Sequence, residues 1–115
     1  MALHGRKVFP SQYRMRRHAD FDRMWVHGQR CHTPHFIVIV LKKSDGSTRL
    51  GLTVSRKVGG AVLRNRLKRL VREFFRNHYF QLPQYIDLSI IAKKDAAKLN
   101  YSGICDELGS LFNLN

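Results

Sequence analysis

Residues 64–76, RNRLKRLVREFFR, constrain this chain more than any other segment, because charge and helical periodicity coincide in them. Leu63, Leu67, Leu70 and Phe74 recur at i, i+4, i+7 and i+11 with Val71 beside them, which makes one apolar helix face. Arg64, Lys68, Arg72 and Arg76 recur every four residues on a neighbouring stripe, with Asn65 and Arg69 beyond it. Glu73 is the only acid in the run, so pairing along the helix leaves most of these cations uncompensated. Such a helix is fixed to a core along one side and presents guanidinium groups to a polyanion along the other. Nucleic acid is the polyanion that fits.

The rest of the chain agrees with that partner. Its 115 residues suit one domain, and 21 Lys and Arg against 8 Asp and Glu give a formal charge of +13. The excess is local: residues 49–76 hold nine cations and one acid, whereas three lysines face four acids after residue 76. Self-repulsion on this scale is relieved by a bound polyanion. A membrane partner is not expected. No stretch approaches the roughly 18 apolar residues of a spanning helix, and the apolar face that a surface-lying helix would insert is needed for the core. The opening MALHGRKVFP lacks the continuous apolar segment of a signal peptide, so a cytoplasmic chain is expected. Cys31 and Cys105 are then expected to be reduced. Cys31, His32 and His35 lack a second ligand pair with zinc-site spacing, and are read as structural or incidental rather than as a metal site.

The polypeptide itself is not expected to be a catalyst. Metal-dependent or acid–base cleavage of a phosphodiester calls for gathered carboxylates or a paired histidine. The eight acids are scattered, Asp20 and Asp22 fall on different sides of a predicted helix, and none of the six histidines stands beside a carboxylate in a recognisable motif.

Along the chain, residues 1–17 are basic without periodicity and predict an extended or mobile arm; residues 18–115 predict a single RNA-binding domain. A short helix over about 19–27 places Phe21, Met24 and Trp25 on one face, with Gly28 as its stop. Residues 35–43 read as a buried strand, 44–47 as a turn, and 49–55 as a strand pairing back in a hairpin. Gly59 and Gly60 break the chain before the basic helix, expected over 61–80 and ended by Pro83. A strand over 86–92 and a closing helix with Leu99, Ile104, Leu108 and Leu111 inside complete an α+β class, a single-domain α–β sandwich whose mixed sheet is covered mainly on one side.

Residues 51–75, GLTVSRKVGGAVLRNRLKRLVREFF, resemble the signature segment of the bacterial ribonuclease P protein family, centred on Arg64-Asn65-Arg66 followed by Lys68, Arg69 and Arg72. The flanks fall in register: Phe21 and Trp25 before His27 and Gly28, the FIVIV strand, and a late strand ending in Ala92, Lys93 and Lys94. The resemblance spans about residues 14–112. It implies a left-handed βαβ crossover containing the basic helix, and an RNA-facing surface made by that helix with Ser55, Arg56 and Lys57. It also implies a cleft between sheet and first helix for the 5′ leader of precursor tRNA, lined by Phe21, Trp25, Ile39 and Lys93. Trp25 stands where the family often has Phe, Ile39 where some members have Tyr or Phe, and Gly60 where Asn is frequent. The implied role is protein subunit of the endonuclease that removes the leader. Cleavage and Mg²⁺ would belong mainly to the RNA subunit. The implied partners are that RNA and precursor tRNA, with no membrane and no small-molecule substrate.

Physical chemistry gives those residues matching tasks. Single-stranded RNA is held by cations along its phosphates and by aromatic faces under its bases. Phe21 and Trp25, four apart, suit such a platform and suit plain core packing equally. Arginine forks suit bidentate phosphate contacts, Lys68 is a point charge, and Asn65 fits either a brace at the helix start or a hydrogen bond to RNA. The rival reading is a ribosomal-type or chaperone RNA-binding protein with no enzyme attached, which needs no aromatic cleft beside the helix. A DNA-reading helix would want a helix-turn-helix partner or a dimer seam, and neither is present in the pattern.

Overall fold

The computed structural model describes residues 10–114. Its centre is set by the two most apolar runs, β2 (Phe36–Lys42) and β4 (Ile86–Ala92). Continuous β-branched runs suit strands covered on both faces, and these two pair antiparallel from Phe36 opposite Ala92 to Lys42 opposite Ile86. β1 (Gln29–His32) joins the free edge of β2 antiparallel, and β3 (Arg49–Thr53) joins β4 in parallel, giving the order β1-β2-β4-β3. The mixed sheet of the α+β reading is therefore present, but the hairpin between residues 35–43 and 49–55 is not. β4 lies between those strands, where both its edges are paired and its apolar side chains are covered. The hairpin partner of β2 is instead β1, whose polar QRCH carries no strand signature. The turn between them is closed by Thr33, whose hydroxyl accepts from the Phe36 N–H at 3.0 Å.

Parallel neighbours need a crossover, and α2 (Ala61–Asn77) supplies it between β3 and β4. α2 ends three residues short of the expected 80, and a 3-10 turn at Tyr79–Gln81 leads to Pro83. α3 (Tyr101–Leu111) starts at Asn100, whose side chain accepts from the Gly103 N–H at 2.8 Å as an N-cap. α2 and α3 cover one sheet face with the main core, in which Phe36, Leu67, Phe74, Phe75, Leu88, Ile104 and Leu108 are fully buried. α1 (His18–His27) lies on the other face over a smaller cluster of Met15, Met24 and Ile39. Among the described residues no helix is long and apolar enough to cross a membrane.

The packed chain begins ahead of the expected boundary at residue 18. Met15 is buried and donates its N–H to the Leu50 carbonyl at 2.9 Å, extending the β3 edge. Residues 1–9 of the expected arm lie outside the described residues.

Candidate nucleic-acid interface

α2 distributes its cations around three of its sides. Asn65 and Arg69 are exposed, and Arg64, Lys68 and Arg72 are half-buried along the side that looks toward the β3 edge. Arg64 also closes the entry to the helix, with Nε donating to the Gly59 carbonyl at 3.1 Å. Arg66 goes elsewhere. Its Nη1 donates to the carbonyls of Ala97 at 3.4 Å and Leu99 at 3.2 Å, so its fork braces the turn that leads into α3. Of the RNR triplet, Arg66 is thus a brace, while Arg64 and Asn65 stay on the accessible side. Ser55, Arg56 and Lys57 are exposed in a turn ahead of α2, held down by buried Val58, whose N–H donates to the Ser55 carbonyl at 3.1 Å.

The expected aromatic pair lies on α1, which crosses the sheet from β3 toward β1. Phe21 packs over Gly51: a Cβ there would stand 2.8 Å from the Phe21 ring and 2.7 Å from Met15 Cε, so only glycine admits both. Trp25 is 52% exposed, with Arg30 Cζ 3.8 Å from its ring centroid and Arg30 Nη2 donating to its carbonyl at 3.0 Å. That cation–π stack presents a ring and a guanidinium together. Ile39 is corrected: at 1% exposed it belongs to the core beneath α1 and has no surface to offer a leader. Periodicity did not reveal this because β2 is apolar on both faces. Arg30, in register with Ile39 on β1, is the cleft cation that sequence reasoning missed. Lys93 is half-buried, its Nζ donating to the Thr33 carbonyl at 2.6 Å.

Two acid sites hold this surface in shape. Asp87 is fully buried, gripped by Arg49 through Nε at 2.9 Å and Nη2 at 2.8 Å, by Lys43 at 2.9 Å and by Arg23 at 3.1 Å. Burial pushes its carboxyl pKa up, but the hydrogen bonds and charges of Arg49 and Lys43 outweigh that and hold it below the ordinary value. The same hydrogen bond raises Arg49. Glu107 on α3 accepts from Thr33 Oγ1, from the His35 N–H at 2.7 Å, and pairs with His35 Nδ1 at 2.7 Å. A histidine–carboxylate pair therefore exists, 72 residues apart, where the sequence offered none. It latches α3 to the turn before β2. Its hydrogen bonds lower the Glu107 pKa against the opposing effect of burial.

These carboxylates do not fit a Mg²⁺ site on the protein. A hard divalent cation wants several free oxygens at octahedral positions, and the oxygens of Asp87 and Glu107 are taken by cations and donors, while Asp20 faces Arg23 and Arg49. Among the described residues no three His, Cys, Asp or Glu side chains gather as metal ligands.

A profile of the Ribonuclease P family matches residues 9–114. The ribonuclease P protein component of Desulfovibrio desulfuricans is 46% identical over 107 residues, covering 90% of this chain and 82% of that one. That of Syntrophus aciditrophicus is 41% identical, covering 85% and 82%. Among solved structures, the Staphylococcus aureus RNase P protein superposes with a TM-score of 0.80 at 32% identity, covering 89% of this chain and 94% of that chain. The Thermotoga maritima RNase P protein gives 0.79 at 31%, covering 86% and 94%. Matched by the family profile over nearly its whole length and by relatives more than 40% identical, this chain belongs to the ribonuclease P protein family.

Proposed function

We propose that the protein acts in tRNA maturation as the RNA-binding subunit of ribonuclease P, joining the catalytic RNA to precursor tRNA and holding the 5′ leader. The observation that carries this reading is the pairing of a cation-rich helix with the exposed Trp25 ring, stacked on Arg30, on one small domain. Arg64, Lys68, Arg69 and Arg72, with Arg56 and Lys57, would neutralise phosphates of the RNA subunit, and Asn65 and Ser55 would hydrogen-bond it. Trp25 with Arg30, together with Phe21 and Lys93, would receive bases and phosphates of the leader. Hydrolysis and its Mg²⁺ are assigned to the RNA subunit, since the least exposed acids, Asp20, Asp87 and Glu107, are engaged by cations and donors. A ribosomal-type binder would have no use for Trp25 set half-exposed under a guanidinium.

Comparing holoenzyme affinity for a precursor with that for mature tRNA tests the reading. Trp25→Ala is expected to weaken precursor binding by about 1–3 kcal/mol, the worth of one stacked base, and to leave mature tRNA unaffected. Equal loss for both RNAs would remove the leader from this face.

A further inference from the structure

Side chains of β2 and β4 alternate between the two faces of the sheet. Phe36, Val38, Leu88 and Ile90 pack into the main core, whereas Ile37, Ile39 and Ile91 pack with the cluster beneath α1. The Lys93 N–H donates to the His35 carbonyl at 2.9 Å, which carries the ladder between these strands one step past Ala92. Lys93 is itself extended, with φ −82° and ψ 166°. Alternation then puts its side chain on the α1 face, two residues beyond Ile91. There Lys93 Nζ donates to the Thr33 carbonyl at 2.6 Å, leaving the other N–H groups of the ammonium for an anion.

The turn that supplies this carbonyl is held from the side of α3, which covers the core face. Glu107 accepts from the Thr33 hydroxyl and from the His35 N–H at 2.7 Å, and its second oxygen pairs with His35 Nδ1 at 2.7 Å. The Thr33 N–H donates to the Phe36 carbonyl at 2.8 Å, and the Phe36 N–H donates back to the Thr33 hydroxyl at 3.0 Å. Glu107 keeps 12% of its side-chain exposure and spends these contacts on the segment that carries the acceptor of Lys93. A lysine on a free stem loses rotamer freedom when it grips a phosphate. One tethered to a fixed carbonyl has lost part of that freedom beforehand, so it holds an anion more tightly.

We infer that Glu107 is a positioning residue for leader binding: it fixes the 33–35 turn, whose Thr33 carbonyl holds the Lys93 ammonium for a leader phosphate on the other face of the sheet. Glu107 touches no RNA and acts only through Lys93. The inference rests on the leader-holding role proposed above and extends it to α3.

The test is a double-mutant cycle in the holoenzyme, assembled from the full-length protein and a bacterial ribonuclease P RNA and titrated with precursor and with mature tRNA. Lys93→Ala is expected to weaken precursor binding about tenfold, the worth of one hydrogen bond to a charged group, and to leave mature tRNA unaffected. Glu107→Ala should weaken precursor binding about threefold, with the double variant no weaker than Lys93→Ala alone. Glu107→Gln should restore most of the affinity, because its amide oxygen accepts from Thr33 and from the His35 N–H. Should Glu107→Ala fail to fold, Thr33→Val decides in its place, since it removes the hydroxyl that Glu107 holds and keeps the carbonyl that Lys93 uses. Losses that add, equal losses for precursor and mature tRNA, or no loss in Glu107→Ala would reduce Glu107 to a fold contact and overturn the inference. An inert Lys93→Ala, with Trp25→Ala still selective for the precursor, would overturn it and leave the leader role standing. No selectivity in either variant would remove that role as well.

Discussion

Three cations from α1, β3 and the segment after β2 converge on Asp87, a fully buried carboxylate, and that convergence fixes α1 over the sheet. Removing one partner of a buried ion cluster leaves the others unpaired, at the cost of several kcal/mol. Arg49 and Lys43 retain a quarter or less of their side-chain exposure, so they recover some water, and Asp87→Asn is expected to destabilise by about 3 kcal/mol in urea unfolding at neutral pH. The pH dependence follows from the lowered pKa. The stabilisation is complete above the ordinary carboxylate value of 3.8 and is lost as pH falls through the still lower folded value. Glu107 acts likewise below 4.5. The urea midpoint should therefore hold between about pH 7 and 5 and drop below about pH 4, and Asp87→Asn should blunt that drop. A midpoint that fell equally in the variant would mean that other groups carry the acid sensitivity. Arg66 and Arg69 make the second contrast. Arg66→Ala is expected to lower stability by about 1 kcal/mol, because the carbonyls of Ala97 and Leu99 lose their donor. Arg69→Ala should leave the melting curve in place and reduce RNA affinity. Reversed behaviour would exchange their roles.

At the scale of elements, α1 and β3 meet through Gly51. Gly51→Ala would drive a methyl into Phe21 and Met15, which predicts a loss of about 1–3 kcal/mol together with a displaced Phe21 ring, measured by thermal unfolding and by quenching of a leader-borne fluorophore. Full stability in that variant would show that α1 shifts freely. The legible elements were those whose signal is local. α2 declared itself by an apolar stripe at helical spacing, β2 and β4 by continuous apolar runs, and α1 by Phe21, Met24 and Trp25. What escaped is non-local. β1 is an edge strand of polar residues, recognisable only once β2 is there to pair with. The 35–43 and 49–55 strands have the composition of a hairpin, but strand order depends on where β4 buries most area. Ile39 and Ile37 are equally apolar, and only the position of α1 decides which one is covered. The partners of Asp87 and Glu107 lie 38 to 74 residues away in sequence, beyond any pattern in a window.

The whole molecule carries +13 on 115 residues, and the fold arranges that excess rather than dispersing it. Asp87 and Asp20 offset two of the three charges of Arg23, Lys43 and Arg49 where α1 meets the sheet, which leaves the cations of α2 and the 55–57 turn to face a polyanion. The site cations on α2 were readable from sequence because their spacing is helical. Arg30 was not, since its place beside Trp25 is made by the hairpin that pairs β1 with β2. On this account the protein contributes charge and a leader platform, and the RNA contributes the chemistry. The most direct test is cleavage of precursor tRNA at low Mg²⁺ by a bacterial ribonuclease P RNA with and without the protein. The account predicts cleavage at the mature 5′ end only when both are present, with no cleavage by the protein alone. Tight RNA binding with no gain in cleavage, or cleavage by the polypeptide without the RNA, would contradict it.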